Sequence, residues 1–206
     1  MIINVIKRTF SENKSVIILS IIIFLISIIL GYVLKPYLYS YLNPAVNDLS
    51  QKVHSGVVKL TFADIFSNNI RVVFRMFIFG LAFCFSAVIL AYNGFFTGYY
   101  ISTRDNLFYT LLLIVPHGIF EFSSCILACS SGLVLFNFLY KFLKSVWNQD
   151  SENVLEILRV SFNESSDKLK QALILLVMAS ILMTIACFVE VYLTIPIANW
   201  IVSVVG

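Results

Sequence analysis

The sequence predicts an all-α, polytopic helical membrane protein with discontinuous transmembrane helices and interfacial amphipathic helices, forming one integral membrane domain over residues 1–206. Three observations carry this reading. Hydrophobic residues make up 60% of the chain and charged residues only 12%, more apolar surface than a soluble fold of this size hides. The apolar residues are gathered into long runs, as bilayer crossing requires. Three of those runs hold a helix breaker beside a polar group: Asn93-Gly94, Pro116-His117-Gly118 with Glu121, and Glu190 with Pro196.

The first fourteen residues carry Lys7, Arg8 and Lys14 and precede an uninterrupted apolar run, 16–34, long enough to cross a hydrocarbon core of roughly 30 Å. It is too long for a cleavable signal peptide and no small-x-small site follows, so it reads as a retained first transmembrane helix. Lys35-Pro36 ends it. Asn43-Pro44 then opens a polar stretch where Val46, Leu49, Val53, Val57 and Leu60 recur at helical spacing opposite Asp48, Lys52, His54 and Lys59. A helix of that kind, over 44–60, is expected to lie in the headgroup layer. Thr61 and Asp64 form a helix-start signal leading into a second transmembrane segment, 66–102, expected to break at 93–94. Arg71 and Arg75 near its start are expected to reach toward the interface.

The third apolar run, 107–140, is too long for one crossing, about 51 Å as a helix, and too short for two, which need about 40 residues and a turn. Pro116 and Gly118 point to a helix broken at 116–118. The fourth segment, 169–206, is expected to break near 190–196. Between them, 141–170 is a charged connection with an apolar patch, Val154, Leu155 and Leu158, and a helix-start signal at Ser161-Phe162-Asn163-Glu164. It is too short for a catalytic domain. Freed backbone groups at each break need partners in protein or in a water-lined cavity, so the breaks are expected to face one another.

Asn93, His117, Glu121 and Glu190 are the candidate polar cluster buried in the membrane. His117 and Glu121, four apart, share a helix face; Cys125 continues that row, and Cys187 and Glu190 pair at spacing three. An ionised side chain at a helix centre costs about 2.5 to 3.5 kcal/mol, so each acid should face protein or water. Three roles stay open: mutual satisfaction that locks a broken helix, proton or ion handling by Glu121 and Glu190 with His117, and a metal site from His117, Glu121 and Cys125. No HExxH or paired CxxC motif supports the last, and no cofactor is expected. Gly94, Gly98, Pro116, Gly118, Gly132 and Pro196 are the helix-break and packing positions. Small residues at spacing four, Ser124-Ala128-Gly132 and Gly94-Gly98, let backbones approach, within one chain or across a homodimer. Tyr37, Tyr39, Tyr41, Trp147 and Trp200 fit an interfacial belt, and the four cysteines read as small hydrophobes.

Other chemistry finds little footing. The net charge of +3 is dispersed and no basic tail occurs, which argues against nucleic acid. No GxSxG motif is present, and Ser123, Ser124 and Cys125 near His117 do not make a triad. In a four-crossing arrangement Lys and Arg number three before the first helix, five in the first loop, one in the second and five in the third. The positive-inside tendency then puts the first and third loops in the cytoplasm and both termini outside.

Four stretches resemble the stage II sporulation protein M family of prokaryotic membrane proteins: FSNNIRVVFRMFIFG (66–80), AYNGFFTG (91–98), VPHGIFEFSS (115–124) followed by Gly132, and FVEVYLTIP (188–196). They are similar to that family's NG-x-x-x-G, P-H-G-x-x-E and E-x-Y-x-T-x-P signatures in order, over roughly 62–196. Phe122-Ser123-Ser124 departs from the aliphatic residues expected after the glutamate. The resemblance adds Asn69 and Gly80, at the entry of the second segment, to the candidate positions. It implies a multi-helix protein without assigned catalytic chemistry, whose sporulation namesake is similar in role to a scaffold recruiting peptidoglycan-degrading partners. Other relatives accompany bacteriocin maturation. The expected function is therefore a non-enzymatic scaffold or complex subunit in the cell membrane, with the lipid bilayer and other membrane proteins as partners. The alternative is an ion- or proton-coupled transporter or a peptide-export component.

Overall fold

The computed structural model describes residues 2–54, 61–82, 84–149 and 153–205, and no strand occurs among them. The elements are α1 (Ile2–Glu12), α2 (Lys14–Val33), α3 (Lys35–His54), α4 (Phe62–Phe79), a 3₁₀ turn (Gly80–Ala82), α5 (Phe85–Ser102), α6 (Leu107–Trp147), α7 (Val154–Tyr192) and α8 (Thr194–Val205).

α2 is the first crossing. Ser20, Phe24, Ser27 and Gly31 are buried at spacing four, three and four, the period of one helical face, while Ile22, Leu25, Ile26 and Ile29 stay exposed for lipid. Ser20 and Ser27 donate to the Val16 and Ile23 carbonyls four residues back, so neither hydroxyl is orphaned. α6 and α7 run antiparallel. Ser124 donates to the Ala179 carbonyl at 2.7 Å and Ser131 to that of Ala172 at 2.8 Å, contacts that small neighbours such as Ala128 and Cys129 permit. Ser130 meets Ser20 at 3.1 Å, aligning α2 with the same pair. The face carrying α1 and the α6–α7 connection is the near face; α2 ends, α6 begins and α7 ends at the far face.

The second segment differs from expectation. Residues 66–102 do not form one crossing broken at 93–94 but two antiparallel helices, α4 and α5, with the 3₁₀ turn Gly80–Ala82 at the end of the first. Asn69 of α4 lies beside Cys187, while a Cβ on Gly80 would strike the backbone of Gly132. α4 therefore descends from the far face and α5 returns to it. No charged residue occurs between Arg75 and Arg104, so the turn carries nothing that must leave lipid. As one helix these 37 residues would measure about 55 Å; folding back fits both arms into a single bilayer thickness. α5 continues through Asn93-Gly94, where the Asn93 amide donates to the Ile89 carbonyl at 2.8 Å.

α6 likewise continues through Pro116, and the expected break at 116–118 is absent. The proline removes one bond, to the Leu112 carbonyl. Unwinding the helix in lipid would orphan several backbone groups, each costing several kcal/mol, so the single loss is the smaller penalty. The interruption among these three positions lies between α7 and α8: Leu193 donates to the Val189 carbonyl at 2.9 Å, and Pro196 sits in the first turn of α8, where a missing N–H costs nothing. The breaks therefore do not face one another.

α6 and α7 also run beyond the bilayer at the near face. From Ser131 to Trp147 is about 24 Å of helix, held by Phe138 edge-on to Phe162 and by Ser145 donating to Glu164 at 2.6 Å. The charged connection is thus mostly helix, and α7 starts at Val154, capped by the Asn153 side chain accepting from the Leu155 N–H, rather than at Ser161. At the far face α3 starts nine residues before the expected 44, with Pro36 in its first turn and Pro44 inside; Lys35 donates to the Ser102 carbonyl at 2.6 Å. Residues 55–60 of the expected interfacial helix lie outside the described residues.

A polar network unseen in the sequence closes the near face. Asn13, between α1 and α2, donates to Gln171 at 2.7 Å; Gln171 donates to Glu12 at 2.7 Å and to Asp167 at 2.8 Å; Arg8 pairs with Glu12 at 2.6 Å and with Asp167 at 3.0 Å. The Arg8 and Gln171 hydrogen bonds hold the Glu12 carboxyl down at about 2. Because α4–α5 is a hairpin, the first and third connections lie on opposite faces, which corrects the expected placement of both in the cytoplasm.

A candidate His–Glu–Glu site at the far face

Three side chains converge where α6, α7 and α8 meet. His117 and Glu121 project from one face of α6, one turn apart, and Glu190 comes from the last turn of α7. One ligand atom from each lies within 4.8 Å of the others. The break after Tyr192 brings Thr194, the first residue of α8, back over the histidine: His117 Nδ1 is 3.2 Å from Thr194 Oγ1, which donates to the Val189 carbonyl at 3.1 Å. The imidazole is thereby tethered through Nδ1, which leaves Nε2 as its other ring nitrogen.

The three side chains open into a cavity of about 670 Å³, also lined by Thr97, Tyr100 and Arg104. The Arg104 guanidinium stacks on the Tyr100 ring at 4.3 Å. All three cluster residues are half-buried, which corrects the expectation of a buried cluster. Two carboxylates with no cationic side chain bonded to them among the described residues keep contact with the cavity, since closing it over them would cost desolvation without an opposing charge.

The remaining candidates are placed elsewhere. Asn93 bonds within its own helix and does not join the group. Cys125 is buried at 4% exposure in the core, and Cys187 faces Asn69 of α4 at 3.9 Å, so neither thiol joins the group within ligand distance. Gly94 and Gly98 pack α5 on α2, Gly80 and Gly132 pack α4 on α6, and Gly118 has the Phe122 and Ile114 side chains of its own helix nearest to it. Pro116 is half-buried within α6 and Pro196 exposed on α8. Thr194, Tyr100 and Arg104 were not foreseen. Thr194 lies within the stretch FVEVYLTIP, but only the fold shows it reaching α6.

Two carboxylates this close, partly removed from water, call for a compensating positive charge: a proton, a metal ion or a cationic ligand. Two oxygen donors and one imidazole nitrogen also suit a divalent ion with open coordination positions. The sequence profile described as Stage II sporulation protein M matches residues 20–195. Two uncharacterized proteins of Methanocaldococcus jannaschii are each 30% identical to this chain. One aligns over 195 residues, 92% of this chain and 99% of the relative, and the other over 201 residues, 91% and 85%. No solved structure matches.

Proposed function

This chain belongs to the stage II sporulation protein M family, and from that premise we propose that it is an ion-handling membrane component whose far-face cavity takes up a cation at His117, Glu121 and Glu190. It is a multi-pass membrane protein with four helices long and apolar enough to span among the described residues. The convergence of the three ligand atoms within 4.8 Å carries the proposal. Thr194 holds the imidazole in place, the two carboxylates supply the negative charge, and the cavity supplies the path from the far face. Eight lysines and arginines lie on the near face, from Lys7 to Lys14 and from Lys141 to Lys170, so that face is the cytoplasmic one in this reading.

The test uses purified protein in neutral-lipid vesicles. Zinc and manganese are titrated calorimetrically, and proton entry is followed with an internal dye. Wild type binds one ion or passes protons, and Glu121→Gln and Glu190→Gln weaken that by at least about tenfold, since each removes a donor, while helicity is unchanged. Silence of the wild type in both assays removes ion handling. The function is then the scaffold or complex subunit, which the α6–α7 hairpin favours: it carries Trp147 and Leu155, 89% and 78% exposed, well beyond the bilayer.

A further inference from the structure

α4 has a polar outer face at a depth where lipid is expected. Asp64, Asn68, Arg71 and Arg75 follow one another at spacing four, three and four, and all are exposed, so they form a single stripe along the helix. The depth follows from the packing. Gly80 is seated on Gly132, and Ser130, two residues earlier, bonds to Ser20, four residues into the apolar run of α2. The turn after α4 thus lies close to the near-face edge of the hydrocarbon. Arg75 is five residues back from Gly80, about 7.5 Å, and Arg71 nine residues back, about 13.5 Å. Side chains on a helix tilt toward its N-terminus, which here leads Arg75 toward the middle of the bilayer.

Neither arginine has an ion pair or hydrogen bond among the described residues. Phe74, Ile78 and Phe79 beside them are 45%, 57% and 46% exposed, so the stripe runs between apolar side chains able to pack on another helix. Unpaired guanidinium groups at this depth carry an insertion penalty that a partner carboxylate would relieve. A second copy of this chain cannot supply one. A parallel two-fold contact through α4 would set arginine against arginine, and the acids of the other spanning helices' apolar stretches, Glu121 and Glu190, face the far-face cavity.

We propose that the outer face of α4 docks a transmembrane helix of a different protein, one that carries acidic side chains about one turn apart at mid-membrane and pairs them with Arg71 and Arg75. The interaction goes beyond the cation site, from which it is separate in the fold.

The experiment uses the full chain in neutral-lipid vesicles and a synthetic single-span polyleucine helix with glutamates at two central positions four residues apart, followed by energy transfer at pH 8. The glutamate helix is expected to associate at least about tenfold more tightly than its glutamine counterpart. Arg71→Gln with Arg75→Gln abolishes that preference, and Arg71→Lys with Arg75→Lys, which keeps the charge, retains most of it. Equal binding of the two helices, or a preference that survives loss of both arginines, overturns the proposal. So does displacement of the glutamate helix by modest anionic lipid, which would make the stripe a headgroup site. Energy transfer between two labelled copies of the chain that disappears on removing the arginines would instead make it a self-association surface, and equally overturns it.

Discussion

Gly98 and Gly118 read alike in the sequence, yet the structure assigns alanine at these two positions effects of opposite sign. A Cβ on Gly98 would strike the Ile28 carbonyl oxygen, carbon and Cα, all backbone. No rotamer can relieve that overlap, so α2 and α5 must part locally by about 1 Å, and a gap of 0.5–1 Å forfeits roughly a quarter to a half of each dispersion contact. For on the order of 30 close carbon pairs along the seam, at about 0.15 kcal/mol each, the loss is about 1–2 kcal/mol, within the overpacking range of about 1–3 kcal/mol. Alanine returns up to about 1 kcal/mol of helix propensity, leaving Gly98→Ala destabilised by about 1 kcal/mol net. Nearest to a Cβ on Gly118 are the Phe122 ring at 3.1 Å and the Ile114 side chain at 3.4 Å, side-chain atoms rather than backbone, which need shift by only a few tenths of an ångström. Gly118→Ala is therefore expected to be neutral or stabilising by up to about 1 kcal/mol. Gly31, whose Cβ would strike Phe95 in the same seam, shares the separation, so Gly31→Ala with Gly98→Ala should cost less than the sum. Reversible unfolding in mixed micelles, followed by helicity, measures all four. A Gly98→Ala protein as stable as wild type, or a Gly118→Ala protein equally damaged, would refute the backbone-contact argument.

The interhelical serine bonds make a smaller prediction. Ser124→Ala and Ser131→Ala, which remove the bonds to the Ala179 and Ala172 carbonyls, should each cost about 0.6 kcal/mol in the same unfolding assay; a loss several times larger would show that the orphaned carbonyls find no other partner. At the near face, the Glu12 carboxyl is depressed from 4.5 to about 2 in the folded protein, first by the Arg8 hydrogen bond and then by that from Gln171. A depressed pKa means that the released segment binds more protons than the docked one, so this contribution is complete above about pH 4.5 and is lost as pH falls toward 2. Thermal melting of wild type compared with Glu12→Gln should converge across that window, and curves that stay parallel from pH 5 to 2.5 would contradict it.

Much of the fold was legible because bilayer crossing imposes its length rule on composition directly. The apolar run beginning at Val16 and the helix-start signal at Thr61 and Asp64 can be read without knowing any neighbour. The pairing of His117 with Glu121 is likewise a local consequence of helical spacing. Helix breaks were not legible in the same way. Asn93-Gly94 and Pro116-Gly118 carry the residues that interrupt helices in water, but in lipid the cost of orphaned backbone groups outweighs that preference. The turn instead falls at Gly80, where close packing on Gly132 decides the matter.

The sequence by itself determined that this chain lives in a membrane as a bundle of helices, because hydrophobicity and periodicity are properties of single segments. Only the tertiary structure decided that α4 and α5 fold back as a hairpin, that of the four expected cluster residues Asn93 stays apart while Glu190 joins His117 and Glu121, and that Thr194 reaches the imidazole. Those outcomes depend on which helices touch and at what height, and such contacts between distant segments leave no periodic mark on either one.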